Sequence, residues 1–275
     1  MRVIYIIGVF YLAAMLFLWA GRFGGISRKK ALAASLVCLL AGSGALALSV
    51  YPRGNAYGVT VTCLSELTAN SGSGTAVPAG EKYIALTFDD GPYPPYTGRL
   101  LDVLKQKKAH ATFFLVASQA QRYPELVGRM AAEGHTIGLH GFRHRDFLKL
   151  TEEEKEQDLA MGKKVLQAIT GREPVFWRPP HGFRDLSVTK MAGSKHLQVV
   201  NWSVIPRDWT GIGKQEIYNR VMDKAEDGAI VLLHDGDSPF YKASRQATVD
   251  AAAPLIDSLR EKGYHLVSLE EYVRK

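Results

Sequence analysis

Cysteine is scarce, with only two in 275 residues. Cys38 lies inside an apolar run and Cys63 has no partner beyond it, so no disulfide framework staples this chain. Val37 and Thr62 precede them, where a lipid-attachment site would want a small residue. Acidic residues are almost missing from the first 80 positions, where Glu66 stands alone against Arg2, Arg22, Arg28, Lys29, Lys30 and Arg53. That stretch holds five of the seven net positive charges and leaves residues 81–275 with +2. A nearly balanced remainder excludes a basic nucleic-acid face. Internal repeats are also absent, and the 47% apolar content excludes a disordered or fibrous protein.

Two long apolar runs are present. Val3–Ala20 is uninterrupted over 18 residues, and Ala31–Val50 is a weaker run of 20 containing Ser35, Gly42, Ser43, Gly44 and Ser49. Either is long enough to cross a bilayer. Between them lie Arg22, Arg28, Lys29 and Lys30, and clustered basic residues in a short loop stay on the cytoplasmic side. Residues 1–50 therefore read as one or two transmembrane helices or a signal-anchor, with everything after Tyr51 exported. A rival reading makes Arg28-Lys29-Lys30 the start of a signal peptide cleaved near Ala47, which releases a secreted domain. Residues 51–80 end in Asn70-Ser71-Gly72-Ser73-Gly74-Thr75-Ala76-Val77-Pro78, the composition of a flexible linker.

Residues 81–275 alternate β-rich apolar stretches with segments of helical period. Strands are expected at Tyr83–Phe88, Ala111–Val116, Thr136–Leu139, Val175–Trp177, Leu197–Ser203, Ala229–Leu233 and Leu266–Leu269. Helices are expected at Thr97–Lys108, Pro124–Glu133, Thr151–Thr170, Leu186–Lys195, Lys214–Glu226 and Ala247–Lys262. Thr151 with Glu154 forms a capping box, and Gly134, Gly171, Gly228 and Gly263 stand where left-handed caps are needed. Such alternation implies an α/β fold with a parallel sheet, either closed into a small or incomplete (β/α) barrel or open and doubly wound. A monomer is expected.

In parallel α/β folds the site lies at the C-terminal ends of the strands. His110, His135, His196 and His265 precede strands and read as structural. His140, His144, His181 and His234 follow them. Asp89-Asp90-Gly91-Pro92 after the first strand is either a plain turn or a carboxylate pair awaiting a cation. His140 and His144, four apart, converge on one metal if the segment turns helically. With one aspartate they make a two-histidine, one-carboxylate set, the stoichiometry of a catalytic metal site. Arg178 before Pro179-Pro180-His181-Gly182 is placed to fork onto a carboxylate. Asp208, Trp209 and Leu232-Leu233-His234-Asp235 reach the same rim.

This set, in this order, resembles the polysaccharide deacetylase (NodB-like carbohydrate esterase) family, across Lys82–Tyr272. The resemblance implies a distorted (β/α) barrel of about seven strands and hydrolysis of N-acetyl groups from N-acetylglucosamine-containing glycans such as peptidoglycan, chitin oligomers or extracellular polysaccharide. It assigns Asp90, His140 and His144 to a divalent metal, zinc foremost, with cobalt or another transition ion also accepted. Asp89 becomes the general base oriented by Arg178, and His234 the general acid tuned by Asp208. Trp209 and Leu232 line the acetyl pocket, and the Pro180–Gly182 turn lends a backbone N–H. Two departures stand out. Gly141 replaces the usual Ser or Thr, and His181 replaces an aromatic residue, contacting substrate if not the metal. They motivate the alternative of a glycan-binding pseudoenzyme.

Overall fold

The computed structural model describes residues 3–51, 55–67 and 80–274. Two antiparallel helices come first, α1 (Val3–Arg22) and α2 (Arg28–Val50). At 1.5 Å per residue, the 20 residues of α1 extend about 30 Å, the thickness of a bilayer's hydrocarbon core. Small residues let the pair approach closely: Gly21 meets Ala31, Gly42 meets Phe10 and Tyr11, and Ser35 Oγ donates to Ala14 O at 2.9 Å. Outward-facing Val9, Met15, Val37 and Leu40 leave the hairpin sheathed in exposed apolar side chains.

Seven parallel strands follow, interleaved with helices. In chain order they are β1 (Lys82–Asp89), α3 (Tyr96–Gln106), β2 (Thr112–Leu115), α4 (Ala117–Arg122), α5 (Pro124–Ala132), β3 (Thr136–Leu139), α6 (Glu152–Thr170), β4 (Phe176–Trp177), α7 (Leu186–Ser194), β5 (Gln198–Val199), α8 (Lys214–Met222), β6 (Ala229–His234), α9 (Gln246–Glu261), β7 (Tyr264–Leu266) and α10 (Leu269–Val273). The sheet order is β5-β4-β3-β2-β1-β6, with β7 added beside the first residues of β1. Every strand expected from the sequence is present. The last one shifts, because Ser268 caps α10 with Glu271, so Leu269 is helical and His265 lies within β7 rather than before it.

The sheet curls into a distorted barrel. Past β5 the chain reaches β6 through Val204 N–H to Ile230 O (3.1 Å) and Leu232 N–H to Val204 O (2.9 Å). The remaining gap is filled from the N-terminal side. Val61 donates to Val199 O at 2.9 Å and Leu64 to Gly228 O at 2.8 Å, and Val61, Leu64 and Leu67 are all buried. The expected flexible linker over 51–80 therefore does not hold for 55–67, which is part of the barrel wall. Residues 52–54 and 68–79 of that linker lie outside the described residues.

Alternation along the strands sorts the core into two layers. Ile84, Leu86, Phe88, Phe113, Leu115, Val231 and Leu233 point out against the helices. Tyr83, Ala85, Phe114, Phe176, Ile230 and Leu232 fill the interior. The same inward register continues to Asp89, Arg178 and His234, so the packing that fills the barrel also aims its polar residues at the C-terminal mouth.

Candidate active site

Asp89 and His234 end adjacent strands and pair in register. Asp89 Oδ1 accepts from Arg178 Nη1 at 2.6 Å. Arg178 is fully buried over the Phe114 ring, 4.1 Å from its centroid. Its other N–H groups reach Thr87 Oγ1 (2.8 Å), Val200 O (3.0 Å) and Asn201 O (2.7 Å). The expected fork is thus divided, one nitrogen on Asp89 and the other on the backbone after β5. Asp89 Oδ2 is left facing His140 Nε2, 3.8 Å away. Burial raises the Asp89 carboxyl above the usual carboxylate range, and the Arg178 charge opposes the rise.

Asp90, His140 and His144 converge beside it, all buried. Asp90 Oδ1 lies 3.5 Å from His140 Nε2 and 3.2 Å from His144 Nε2. Ligands at about 2.0–2.2 Å in a tetrahedron stand about 3.4 Å apart, so these three atoms fit one small divalent ion. The chemistry of the set agrees. Asp90 Oδ1 is buried without a hydrogen-bond partner, and burial pushes His140 well below the ordinary histidine value and His144 down to about 2, keeping both imidazoles neutral. His140 Nδ1 lies 2.7 Å from Arg178 O, which fixes the tautomer that leaves Nε2 as the ligand. The histidine pair does not converge by a helical turn. It does so through left-handed backbone at Gly141 (φ 82°) and His144 (φ 53°).

On the other side of Asp89, Asp208 holds His234 with both oxygens. Oδ1 lies 2.9 Å from His234 Nδ1, while Oδ2 accepts from His234 N–H and Thr248 Oγ1, each at 2.8 Å. Burial alone would lower the His234 pKa, but the Asp208 charge and hydrogen bond outweigh it, with help from Asp90 and Asp89, and lift it to about 9. The same pairing overcomes burial at Asp208 and holds its carboxyl below the usual range. The imidazolium therefore points its Nε2–H into the mouth at neutral pH.

The rim is completed by Trp209, set edge-on to His234 at 5.0 Å, and by Leu232, buried in the interior one inward position below His234. Pro180 opens a single 3-10 turn beside Gly141. His181, in left-handed backbone, places its exposed ring edge-on to His144 at 4.8 Å. All the residues singled out from the sequence lie at this end of the barrel. His110, His135, His196 and His265 do not.

Three residues support the site: Asp235, already placed at the rim by the sequence, and Asp158 and Thr248, which the sequence did not single out. Asp158 of α6 accepts from Phe142 N–H at 2.6 Å and holds the His140–His144 turn. Asp235 accepts from Thr97 Oγ1 at 2.5 Å and lies so close to Gly91 that a Cβ there would come within 2.2 Å of its Oδ2. Thr248 braces Asp208 from α9. Asp158 carried a faint sequence signal, since it falls on the buried face of α6 with Leu159, Gly162 and Leu166.

Comparisons agree with this geometry. The family model for polysaccharide deacetylase matches residues 76–200. A peptidoglycan-N-acetylglucosamine deacetylase of Bacillus cereus is 42% identical over 200 residues, covering 72% of this chain and 91% of the relative. A chitooligosaccharide deacetylase of Bradyrhizobium is 34% identical over 200 residues, 70% of this chain and 91% of the relative. A peptidoglycan N-acetylglucosamine deacetylase crystallised with 4-naphthalen-1-yl-N-oxidanyl-benzamide superposes with a TM-score of 0.67 at 34% identity, covering 72% of this chain and 91% of that one. With its barrel, its Asp-His-His cluster and relatives up to 42% identical that it covers over 91% of their length, the chain belongs to the polysaccharide deacetylase family.

Proposed function

We propose that the protein is a metal-dependent N-deacetylase that removes acetyl groups from N-acetylglucosamine units of a glycan outside the cytoplasmic membrane. The observation that carries this reading is the flanking of Asp90, His140 and His144 by two differently tuned pairs, Asp89–Arg178 and His234–Asp208. Asp90 with both histidines would hold a divalent ion, zinc foremost. Such an ion supplies Lewis-acid polarisation and makes water acidic enough to lose a proton near neutral pH.

Everything else falls to the chain's own side chains. Asp89, aimed by Arg178 and turned with Oδ2 toward the histidines, takes the proton as water oxygen bonds to the amide carbon. The Gly182 N–H is already committed to Pro179 O at 2.7 Å, so the donor assigned to the developing oxyanion is the His181 N–H. His234 Nε2–H then protonates the amine nitrogen, the C–N bond breaks, and acetate and a free amino sugar leave. Trp209 and Leu232 bound the acetyl pocket, with Pro180 and the His181 ring at its entrance.

Orientation follows from the N-terminus. The basic loop Arg22–Lys30 stays inside, and both ends of the hairpin, with the barrel, face outward. The near-neutral 81–275 region suits an uncharged acetamido sugar. The test is acetate release from N-acetylglucosamine oligomers and peptidoglycan by the purified chain, abolished by a chelator and restored by zinc or cobalt. No release from any of these glycans, with metal demonstrably bound, overturns the reading.

A further inference from the structure

The hairpin meets the barrel through two neighbouring charged residues. Asp185 Oδ2 accepts Val3 N–H at 3.0 Å at the start of α1, while its Oδ1 accepts Val188 N–H at 2.9 Å at the start of α7. Arg184 donates its backbone N–H to Ser49 O (3.0 Å) and Nη2 to Tyr51 O (2.8 Å) at the end of α2. An anion thus faces the positive end of α1, and a cation faces the negative end of α2, each satisfying backbone groups that a helix end leaves unpaired. Arg184 and Asp185 are 1% and 0% exposed, and Val3 and Ser49 are equally buried. Arg184 Nε also reaches Thr60 Oγ1 at 2.8 Å, next to Val61 in the barrel wall, and Tyr57 Oη donates to Ala45 O at 3.1 Å.

These contacts join the end of the hairpin to the barrel directly. The junction also lies at the catalytic end: only Phe183 separates Arg184 from the Pro180–Gly182 rim. Around it the surface mixes exposed apolar side chains with charges of both signs, Lys190 and Lys195 standing beside Glu152 and Glu156. Leu186 is 40% exposed and Val59 63%, lining one groove with Lys190 and His196, while Leu186 and Lys190 line a second groove with Tyr5 of α1.

We propose that the hairpin is a docked base rather than a leash, seating the barrel directly on the outer leaflet with the start of α7 in the headgroup layer. The occupant of the α7 face is the lipid surface, because that face is continuous with the end of a bilayer-length hairpin and offers exposed apolar side chains beside lysine. The proposal rests on the membrane-spanning reading above. Its consequence is that the active-site mouth stays at membrane level, so the glycan it reaches is the part lying against the bilayer.

The test uses the full chain in proteoliposomes of phosphatidylglycerol and phosphatidylethanolamine, with Cys38→Ala and Cys63→Ser as background. Single nitroxide labels are placed at Leu40→Cys, Leu186→Cys, Lys190→Cys and, across the barrel on α3, Lys105→Cys. Relative accessibility to oxygen and to a water-soluble nickel chelate is read at each. The expected result is full lipid immersion at Leu40, interfacial values at Leu186 and Lys190 with chelate access at least threefold below Lys105, and free water access at Lys105. Leu186 and Lys190 as open to the chelate as Lys105, with Leu40 in lipid, overturns the seating. Leu40 in water overturns the membrane-spanning reading instead, and neither outcome touches the deacetylase chemistry, which needs no membrane to be assayed.

Discussion

Arg178 Nη1 stands 2.6 Å from Asp89 Oδ1, a buried ion pair whose guanidinium is also bonded to Thr87 and to two backbone carbonyls after β5. Removing one partner of such a pair leaves an uncompensated charge in the interior, at a cost of about 3–5 kcal/mol. Arg178→Met should therefore lower stability by about that amount and abolish activity. Asp89→Asn keeps a hydrogen-bond acceptor for Arg178 but loses the base. Acetate release should fall about 10²–10⁴-fold while metal affinity, measured by calorimetry, stays within a few-fold. An Asp89→Asn protein that retains most of its turnover rules Asp89 out as the base.

The His234–Asp208 pair sets the alkaline limit of the reaction. A general acid must carry its proton, and His234 holds it up to about pH 9 because Asp208 outweighs the effect of burial. In Asp208→Asn the largest offset to burial is lost and only the smaller contributions of Asp90 and Asp89 remain, so the His234 pKa falls. The alkaline limb of kcat/KM should then move to lower pH, so that activity at pH 8 falls relative to activity at pH 6. A profile measured from pH 5 to 10 decides it; an unmoved limb assigns the proton donor elsewhere.

Asp158 acts on the metal through the backbone of the His140–His144 turn, by its bond to Phe142 N–H. Loss of such an outer support costs about 10–100-fold in metal affinity. Asp158→Ala should show that loss in competition with a chelating dye, while saturating zinc restores kcat to within a few-fold. A structural role alone would lower Tm without moving the metal dissociation constant.

The parts of this molecule that repeat a period were legible in advance. The apolar run Tyr83–Phe88 and the capping box of Thr151 with Glu154 each specify their own local structure, and the succession of strands and helices placed Asp89 and His140 at the right end of the barrel. Interactions between distant segments left weaker marks. Val61, Leu64 and Leu67 follow a strand signal of only four alternating residues, Val59-Thr60-Val61-Thr62, which is too short to stand out beside the glycine- and serine-rich residues after them, so the segment reads as linker although it inserts between β5 and β6. The six residues of α4 are too few to show a helical repeat. Asp158 shares a helical face with Gly162 and Leu166, but only the fold shows that its carboxylate turns onto Phe142 N–H. The convergence of His140 and His144 depends on left-handed backbone that spacing alone does not encode.

Gly141 connects that last point to an experiment. Relatives of the family usually carry Ser or Thr after the first histidine, and a serine here would be expected to add a hydrogen bond. In this chain, however, Gly141 has φ 82°, and a Cβ would stand 3.0 Å from Asp158 Oδ1. The glycine is what allows the Asp158 carboxylate to close on Phe142 N–H. Gly141→Ser should consequently destabilise the protein by about 1–3 kcal/mol from backbone strain and weaken metal binding as Asp158 is pushed away. Placing the same serine in an Asp158→Ala background removes the clash, so the metal-affinity loss of the double variant should be smaller than the sum of the two single losses. Thermal unfolding and zinc affinity measured across this four-member cycle separate the cases, and a serine variant that binds metal more tightly than the native chain shows that the turn rearranges to the usual family conformation.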